Sequence, residues 1–300
     1  MSETEPGDIS LVLPTFNRAA ALRANLGVML ALEGVHEVIV VDDGSTDDTL
    51  AACSQFDDQR LRVVSHGRNR GVAAARNTGA AAASSAWVLF GEDDCRFPAD
   101  YGIVLRGVGE RNSADIVSAP LVHMAGTDED VAAFAATVAR RSRPPTMDED
   151  GVFPTETIET PFLPARALVR RAVFDTVQFY EGFPSNAYRE ETDFFIQAAR
   201  SGFRCVLTPA TYCYQLDRWT GGQHHSSPLR YEYWTLRNNW RFLRRHGVWL
   251  TEQGYIPGPI SSQVRFTLRR GRVVLAGVTR ARLTRLGIGN VARAGSSDPG

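Results

Sequence analysis

The sequence predicts an α/β protein built on a Rossmann-like, mostly parallel sheet flanked by helices, with a helical extension at its C-terminal end. Three observations carry that expectation. Short β-branched apolar runs alternate with helix-period segments through the first hundred residues. Polar and acidic residues collect where those runs end. The chain is 43% hydrophobic and 22% charged over 300 residues, enough to bury a sizeable core.

The elements follow in order. Ile9–Leu13 reads as the first strand, ending in Pro14-Thr15, and Ala19–Leu32 follows with apolar residues at helical spacing. Val38–Val41 is wholly apolar and β-branched, as suits a strand buried on both faces. Gly44-Ser45-Thr46 provides a turn and an N-cap for a helix over Asp47–Ser54. Leu61–Ser65 is a third strand, Gly71–Ala83 an Ala-rich helix and Trp87–Phe90 a fourth strand. Strands separated by helices in this rhythm predict parallel pairing.

From Asp100 the pattern loosens. Ile116–Val122 reads as one strand, and Asp128–Asp130 and Thr146–Glu159 as acidic, Pro-bearing loops. Phe194, Phe195, Ala198 and Ala199 define the buried face of a helix that stops at Gly202. Tyr212–Leu216 is a further strand. The expected division is 1–98, 99–228 and, for C-terminal helices and a basic tail, 229–300.

Charge and composition exclude several functions. Arginine supplies all 33 basic residues against 34 acidic ones, for a net charge of −1, which argues against a nucleic-acid partner. Without any lysine, no Schiff base or P-loop lysine can operate. Cys53, Cys95, Cys205 and Cys213 fall in no CxxC spacing and read as free thiols of a reducing compartment. The polar, acidic start MSETEPGD is unlike a signal peptide, and no apolar run approaches a membrane span. A cytoplasmic location is therefore expected. Between Glu252 and Asp298 the chain has no acid but many arginines interleaved with Val264, Phe266, Leu268 and Val273. That segment reads either as a packed helix with a solvated basic face or as a peripheral contact with anionic lipid on the inner face of the membrane.

In open parallel sheets ligands sit outside the carboxyl ends of the strands. Here Thr15 and Asn17 follow the first strand, Asp42 and Asp43 the second, and Glu92, Asp93 and Asp94 the fourth. Neither GxGxxG nor GxxxxGK[ST] is present, so carboxylates rather than glycines dominate this edge. Such an edge suits a hard divalent cation that holds a diphosphate.

The runs Val12-Leu13-Pro14-Thr15-Phe16-Asn17-Arg18, Val40-Val41-Asp42-Asp43-Gly44-Ser45-Thr46-Asp47, Asn69-Arg70-Gly71 with Ala75-Arg76-Asn77-Thr78-Gly79, and Phe90-Gly91-Glu92-Asp93-Asp94 resemble the family 2 (GT-A fold) inverting glycosyltransferases. The 231–247 segment is similar to a helix of rhamnosyltransferase-like bacterial members. The resemblance spans roughly residues 8–250 and is densest in the first hundred. It implies a nucleoside-diphosphate sugar donor (UDP, dTDP or GDP) and an acceptor hydroxyl on a glycan, lipid-linked or natural-product molecule. It implies, too, a divalent cation, Mn²⁺ or Mg²⁺.

By the same resemblance Asp42 bonds the donor base, while Pro14, Thr15, Asn17, Arg18, Asp43, Arg70, Arg76 and Asp93 line the donor site. Asp93 has the alternative of an exposed turn residue, and Arg76 that of a simple salt bridge. Asp94 ends the metal-binding DxD element, and Glu92 stands where its first Asp is usual. An EDxD-like motif falls on Glu190, Glu191 and Asp193, with Glu191 as general base in place of Asp. Read from the residues alone, Glu190 and Glu191 also suit the first turn of a helix, whose dipole favours acids. His224 and His225 are candidates for the metal shell or for solvated loop positions. Because both motif acids depart from Asp, a non-catalytic nucleotide-sugar-binding protein is the alternative to an enzyme.

Overall fold

A computed structural model describes residues 9–124, 154–216 and 227–285. The chain forms two compact units, Met1–Asn238 and Asn239–Gly300. In the first unit the elements come as the alternating pattern predicts: β1 (Ile9–Thr15), α1 (Ala19–Leu30), β2 (Val35–Asp42), α2 (Thr49–Cys53), β3 (Leu61–Ser65), α3 (Val72–Ala82) and β4 (Trp87–Phe90). There follow β5 (Cys95–Arg96), α4 (Tyr101–Asn112), β6 (Ile116–Ser118), β7 (Leu121–Met124), β8 (Ile158–Glu159), β9 (Leu168–Arg170) and a 3₁₀ turn over Arg171–Asp175. Then come α5 (Glu190–Arg200), β10 (Cys205–Leu207) and β11 (Cys213–Leu216).

An eight-stranded sheet runs β3-β2-β1-β4-β9-β6-β10-β8. β1, β2, β3 and β4 pair in parallel, with Leu13 opposite Val40 and Thr15 opposite Asp42. β9 is antiparallel to both β4 and β6, and β8 is antiparallel to β10. The order reverses between β1 and β4, since β2 lies on one side of β1 and β4 on the other. At such a switch point the loops diverge and leave a crevice at the strands' carboxyl ends.

Strand alternation sorts the core into two layers. Leu11, Leu13, Val38, Val40 and Leu89 pack with Leu22 and Leu26 of α1 and with Tyr101 and Leu105 of α4. Val12, Ile39, Val41, Val88 and Phe90 pack on the other face with Ala75 and Ala80 of α3 and Phe194 and Phe195 of α5. α3 lies close against β1, for a Cβ on Gly79 would meet Val12 Cγ1 at 2.2 Å. β3, at the sheet edge, leaves Val63 43% exposed.

Three expectations need correction. The helix expected over Asp47–Ser54 begins only at Thr49, and neither Ser45 nor Thr46 caps it. Asp47 takes the capping part, accepting from Thr49 N at 3.0 Å and from the Thr49 hydroxyl. Ser45 and Thr46 are engaged elsewhere, tying this turn to Asn17. The run Ile116–Val122 is broken at Ala119-Pro120 into two strands in different sheets, because proline cannot donate to a ladder. β7 instead pairs in parallel with β11, which also pairs with β5. The helix expected over Tyr231–Gly247 is longer, running as α6 from Pro228 to Glu252. α5 ends as expected: Gly202 takes φ +89° and Phe203 N closes onto Ala198 O at 3.0 Å.

The second unit holds the end of α6 and α7 (Pro259–Arg285). Within it Asn239 Nδ2 donates to Gln263 Oε1 at 2.8 Å, and Phe242, Leu250, Ile256 and Phe266 are buried. Among the described residues no helix is long and apolar enough to cross a membrane.

Candidate functional site

At the carboxyl ends of β1 and β2 the sequence builds a braced loop platform. Asp43 N donates to Thr15 O at 2.9 Å, continuing the β1–β2 ladder past the strand ends. The buried Asp42 accepts from Ser45 N at 3.0 Å and from Ser65 Oγ at 2.9 Å. Asp43, also buried, accepts from Arg70 N and Gly71 N, each at 2.8 Å, and pairs with His66 Nδ1 at 2.8 Å. His66 Nε2 lies 3.0 Å from Thr78 Oγ1, so the imidazole links β3's exit to α3. Asp43 thus holds the 66–71 loop. Gly44, at φ +76°, admits that loop: a Cβ there would lie 2.5 Å from the Arg68 backbone. Asn17, at φ +53°, accepts from Thr46 N at 2.8 Å. Pro14 is buried in β1 opposite Val41.

Two ionic groups meet at the end of β4. In the first, Arg18 Nε donates to Asp93 Oδ1 at 3.0 Å and Arg18 Nη2 to Asp94 Oδ2 at 2.6 Å. Thr15 Oγ1 donates to Asp93 Oδ2 at 2.8 Å. Asp93 is therefore buried and braced from β1, not an exposed turn residue. Burial pushes its carboxyl up to about 7 despite Arg18, with Asp94 adding to the rise.

The second group centres on Arg76 of α3, whose guanidinium is buried. Nη1 pairs with Glu190, while Nη2 lies 3.1 Å from Glu92 Oε1 and 3.3 Å from Glu191 Oε1. The salt-bridge reading of Arg76 holds, and it spans three acids. Its Nε has no hydrogen-bond partner, and neither has Glu190 Oε1. The guanidinium carbon lies 5.5 Å from the centre of the Phe179 ring, which stacks on Phe194 at 4.1 Å. Burial raises Glu190 to about 8, outweighing Arg76, and Glu191 and Glu92 add to the rise. Glu92 is raised as well, by desolvation first, with Arg166 and Arg76 opposing.

Sequence reading missed Arg166. Its Nη2 pairs with Glu92 and its Nε lies 3.1 Å from Cys95 Sγ. A single arginine in the segment before β9 carries no local signal, since only the sheet order brings it to β4. His66 was equally silent.

Other expected residues fall apart from these groups. The Arg70 side chain is half exposed and reaches Glu181 at 3.5 Å. Asp193, wholly buried, accepts from Gln197 Nε2 one turn along α5 at 2.6 Å. His224 and His225 lie outside the described residues.

Five carboxylates (Glu92, Asp93, Asp94, Glu190, Glu191) face three guanidiniums (Arg18, Arg76, Arg166) in these groups. Glu92, Asp94 and Cys95 each offer a ligand atom, all within 4.8 Å of one another. Carboxylate oxygens match a hard divalent ion. The Cys95 thiol does not, for burial drives it well above its ordinary range and keeps it protonated. Both oxygens of Glu92 accept from arginines, and Asp94 accepts from Arg18 Nη2, so a cation here would share its ligands with guanidiniums.

The fold has solved counterparts. The chain is similar to the S. aureus TarS 1–349 complex with UDP-GlcNAc (TM-score 0.55, 18% identity, 80% of this chain and 72% of that one). It is similar also to the mannosyltransferase PcManGT from Pyrobaculum calidifontis in complex with GDP-Man and Mn²⁺ (TM-score 0.55, 18% identity, 81% and 64%). In sequence it is 35% identical over 121 residues to the succinoglycan biosynthesis protein ExoU of Rhizobium meliloti, covering 39% of this chain and 35% of that protein. It is 34% identical over 114 residues to a PGL/p-HBAD biosynthesis glycosyltransferase of Mycobacterium bovis, covering 36% and 44%. The matches thus span less than half the length of these curated relatives. Residues 10–178, more than half of the chain and the stretch that contributes β1–β4, Arg76, the 92–94 acids and Arg166, match the model for Glycosyl transferase family 2, and to that family the chain belongs.

Proposed function

We propose that this chain transfers a sugar from a nucleoside-diphosphate sugar to an acceptor hydroxyl with inversion, assisted by a divalent cation. The observation that carries the reading is the meeting of Glu92 and Glu191, about a hundred positions apart, on Arg76 Nη2. It sets the acids after β4 beside the acids that open α5. Donor and acceptor chemistry would meet at such a junction.

Glu191 and Glu190 divide the work by burial. The Glu191 side chain keeps 34% of its surface exposed, whereas Glu190 keeps 1%. Glu191 can therefore reach an acceptor hydroxyl and take its proton as the oxygen attacks the anomeric carbon. Arg76, 3.3 Å away, orients that carboxylate. Glu190, whose carboxyl burial raises to about 8, serves to anchor Arg76. The new C–O bond forms on the face opposite the diphosphate, whose oxygen leaves with the electron pair, so the anomeric configuration inverts. Asp94, with Glu92 through water, would hold Mn²⁺ or Mg²⁺, which supplies charge neutralisation for the departing diphosphate.

UDP and GDP sugars lead the donor candidates because the two structural neighbours hold UDP-GlcNAc and GDP-Man. dTDP sugars remain in the set, since an Asp42 bond to a base N–H suits uracil and thymine alike. The two curated relatives belong to succinoglycan and PGL/p-HBAD biosynthesis, which favours a glycan or lipid-linked acceptor.

Glu191→Gln tests the assignment. Donor binding should persist while transfer falls by about 10²–10⁴-fold, the usual contribution of a general base. Equal turnover by the variant would remove Glu191 from the mechanism. Binding without turnover in the unaltered chain, across a panel of acceptors, would favour the non-catalytic alternative.

A further inference from the structure

The first described turns of α7 carry an unusual surface. Ile260 is 70% exposed, Val264 53% and Leu268 61%. Single exposed aliphatics are ordinary, but these stand four residues apart on successive turns. At about 100° per residue each lies about 40° round from the last, so they form one continuous ridge. The opposite face is the packed one: Phe266 is buried and Gln263 accepts from Asn239. Arg265 and Arg272 are exposed along one edge of the ridge, and Arg269 lies exposed farther round, its guanidinium carbon 5.5 Å from the centre of the Phe266 ring. No acid occurs between Glu252 and Asp298.

We propose that this ridge docks the chain on the surface of an anionic phospholipid bilayer. The aliphatic side chains enter the boundary between headgroups and acyl chains, and the arginines pair with lipid phosphates. Charge selects this occupant over the others. A second copy laid on the same face would set arginine against arginine with no acid on the helix to answer it. A nucleic acid would use the arginines but leave the aliphatic ridge in water, and Ile, Val and Leu offer no stacking face to bases. An apolar strip edged by arginines is the composition of a helix lying in a membrane interface.

Flotation of the full chain with vesicles of phosphatidylcholine, with and without phosphatidylglycerol, tests the proposal. Binding should require phosphatidylglycerol and weaken with added salt. Arg265→Gln and Arg272→Gln should each lower partitioning about fivefold, the effect of about one basic residue near an anionic surface. Val264→Glu and Leu268→Glu should lower it more than about tenfold. Both aliphatic positions are solvent-exposed, so the variants should keep wild-type circular dichroism and donor binding. Unchanged flotation of Leu268→Glu, or equal binding to pure phosphatidylcholine, would overturn the proposal. So would a dimer in sedimentation that Leu268→Glu dissolves, or capture of single-stranded RNA that depends on the arginines and not on Val264 or Leu268.

Discussion

Glu190 shows what burial does to one carboxyl. Its pKa is lifted from the ordinary glutamate range to about 8, first by desolvation and then by the neighbouring acids, against the pull of Arg76. The folded state therefore holds a proton that the unfolded state releases near pH 4.5. Where the folded state binds more protons, stability falls as pH rises. The contribution is full below the unfolded value and is lost through pH 8. Glu190→Gln mimics the protonated form, so its melting temperature should lose less than wild type between pH 5 and pH 8.5. Parallel melting curves across that range would reject the assignment. Arg76 itself was legible as a motif position but not as a hub. No spacing rule brings residues 92, 190 and 191 to one guanidinium.

At the scale of elements, the first hundred residues were readable because strand and helix periods differ sharply there. Val38–Val41 reads as buried on both faces, and all four positions are fully buried in β2. The Ser45–Thr46 cap was misread because both residues serve a tertiary contact with Asn17, which overrides a local preference. β6 and β7 were fused because a short apolar run gives no sign of which sheet each half joins. Close packing of α3 on β1 gives a prediction of its own. Gly79→Ala forces a methyl into Val12 and should cost about 1–3 kcal/mol in urea denaturation. Unchanged stability would mean that α3 can move away freely.

At the scale of the whole molecule, five carboxyls gather beside the switch point between β1 and β4. A nucleoside diphosphate alone should bind this edge poorly, and a divalent cation should rescue it. At about 100 times its dissociation constant a ligand adds about 2.7 kcal/mol of stability, raising the melting midpoint by several degrees. At least one of UDP, dTDP and GDP should give that shift with Mn²⁺ and lose it with EDTA, and Asp94→Ala should weaken the Mn²⁺ dependence. A shift that survives EDTA would remove the metal from the proposed function.

The sharing of Arg76 among Glu92, Glu190 and Glu191 has a further consequence for how this site tolerates change. Residues in one ionic network do not contribute independently, so losses from altering two of these acids fall short of, or exceed, the sum of the single losses. A guanidinium left buried without its partners costs about 3–5 kcal/mol, which makes single steps away from this arrangement expensive. Substitutions at positions 76, 92, 190 and 191 are therefore energetically coupled. Glu92 and Glu191 meet on one shared nitrogen, so a change at either alters the setting of the other.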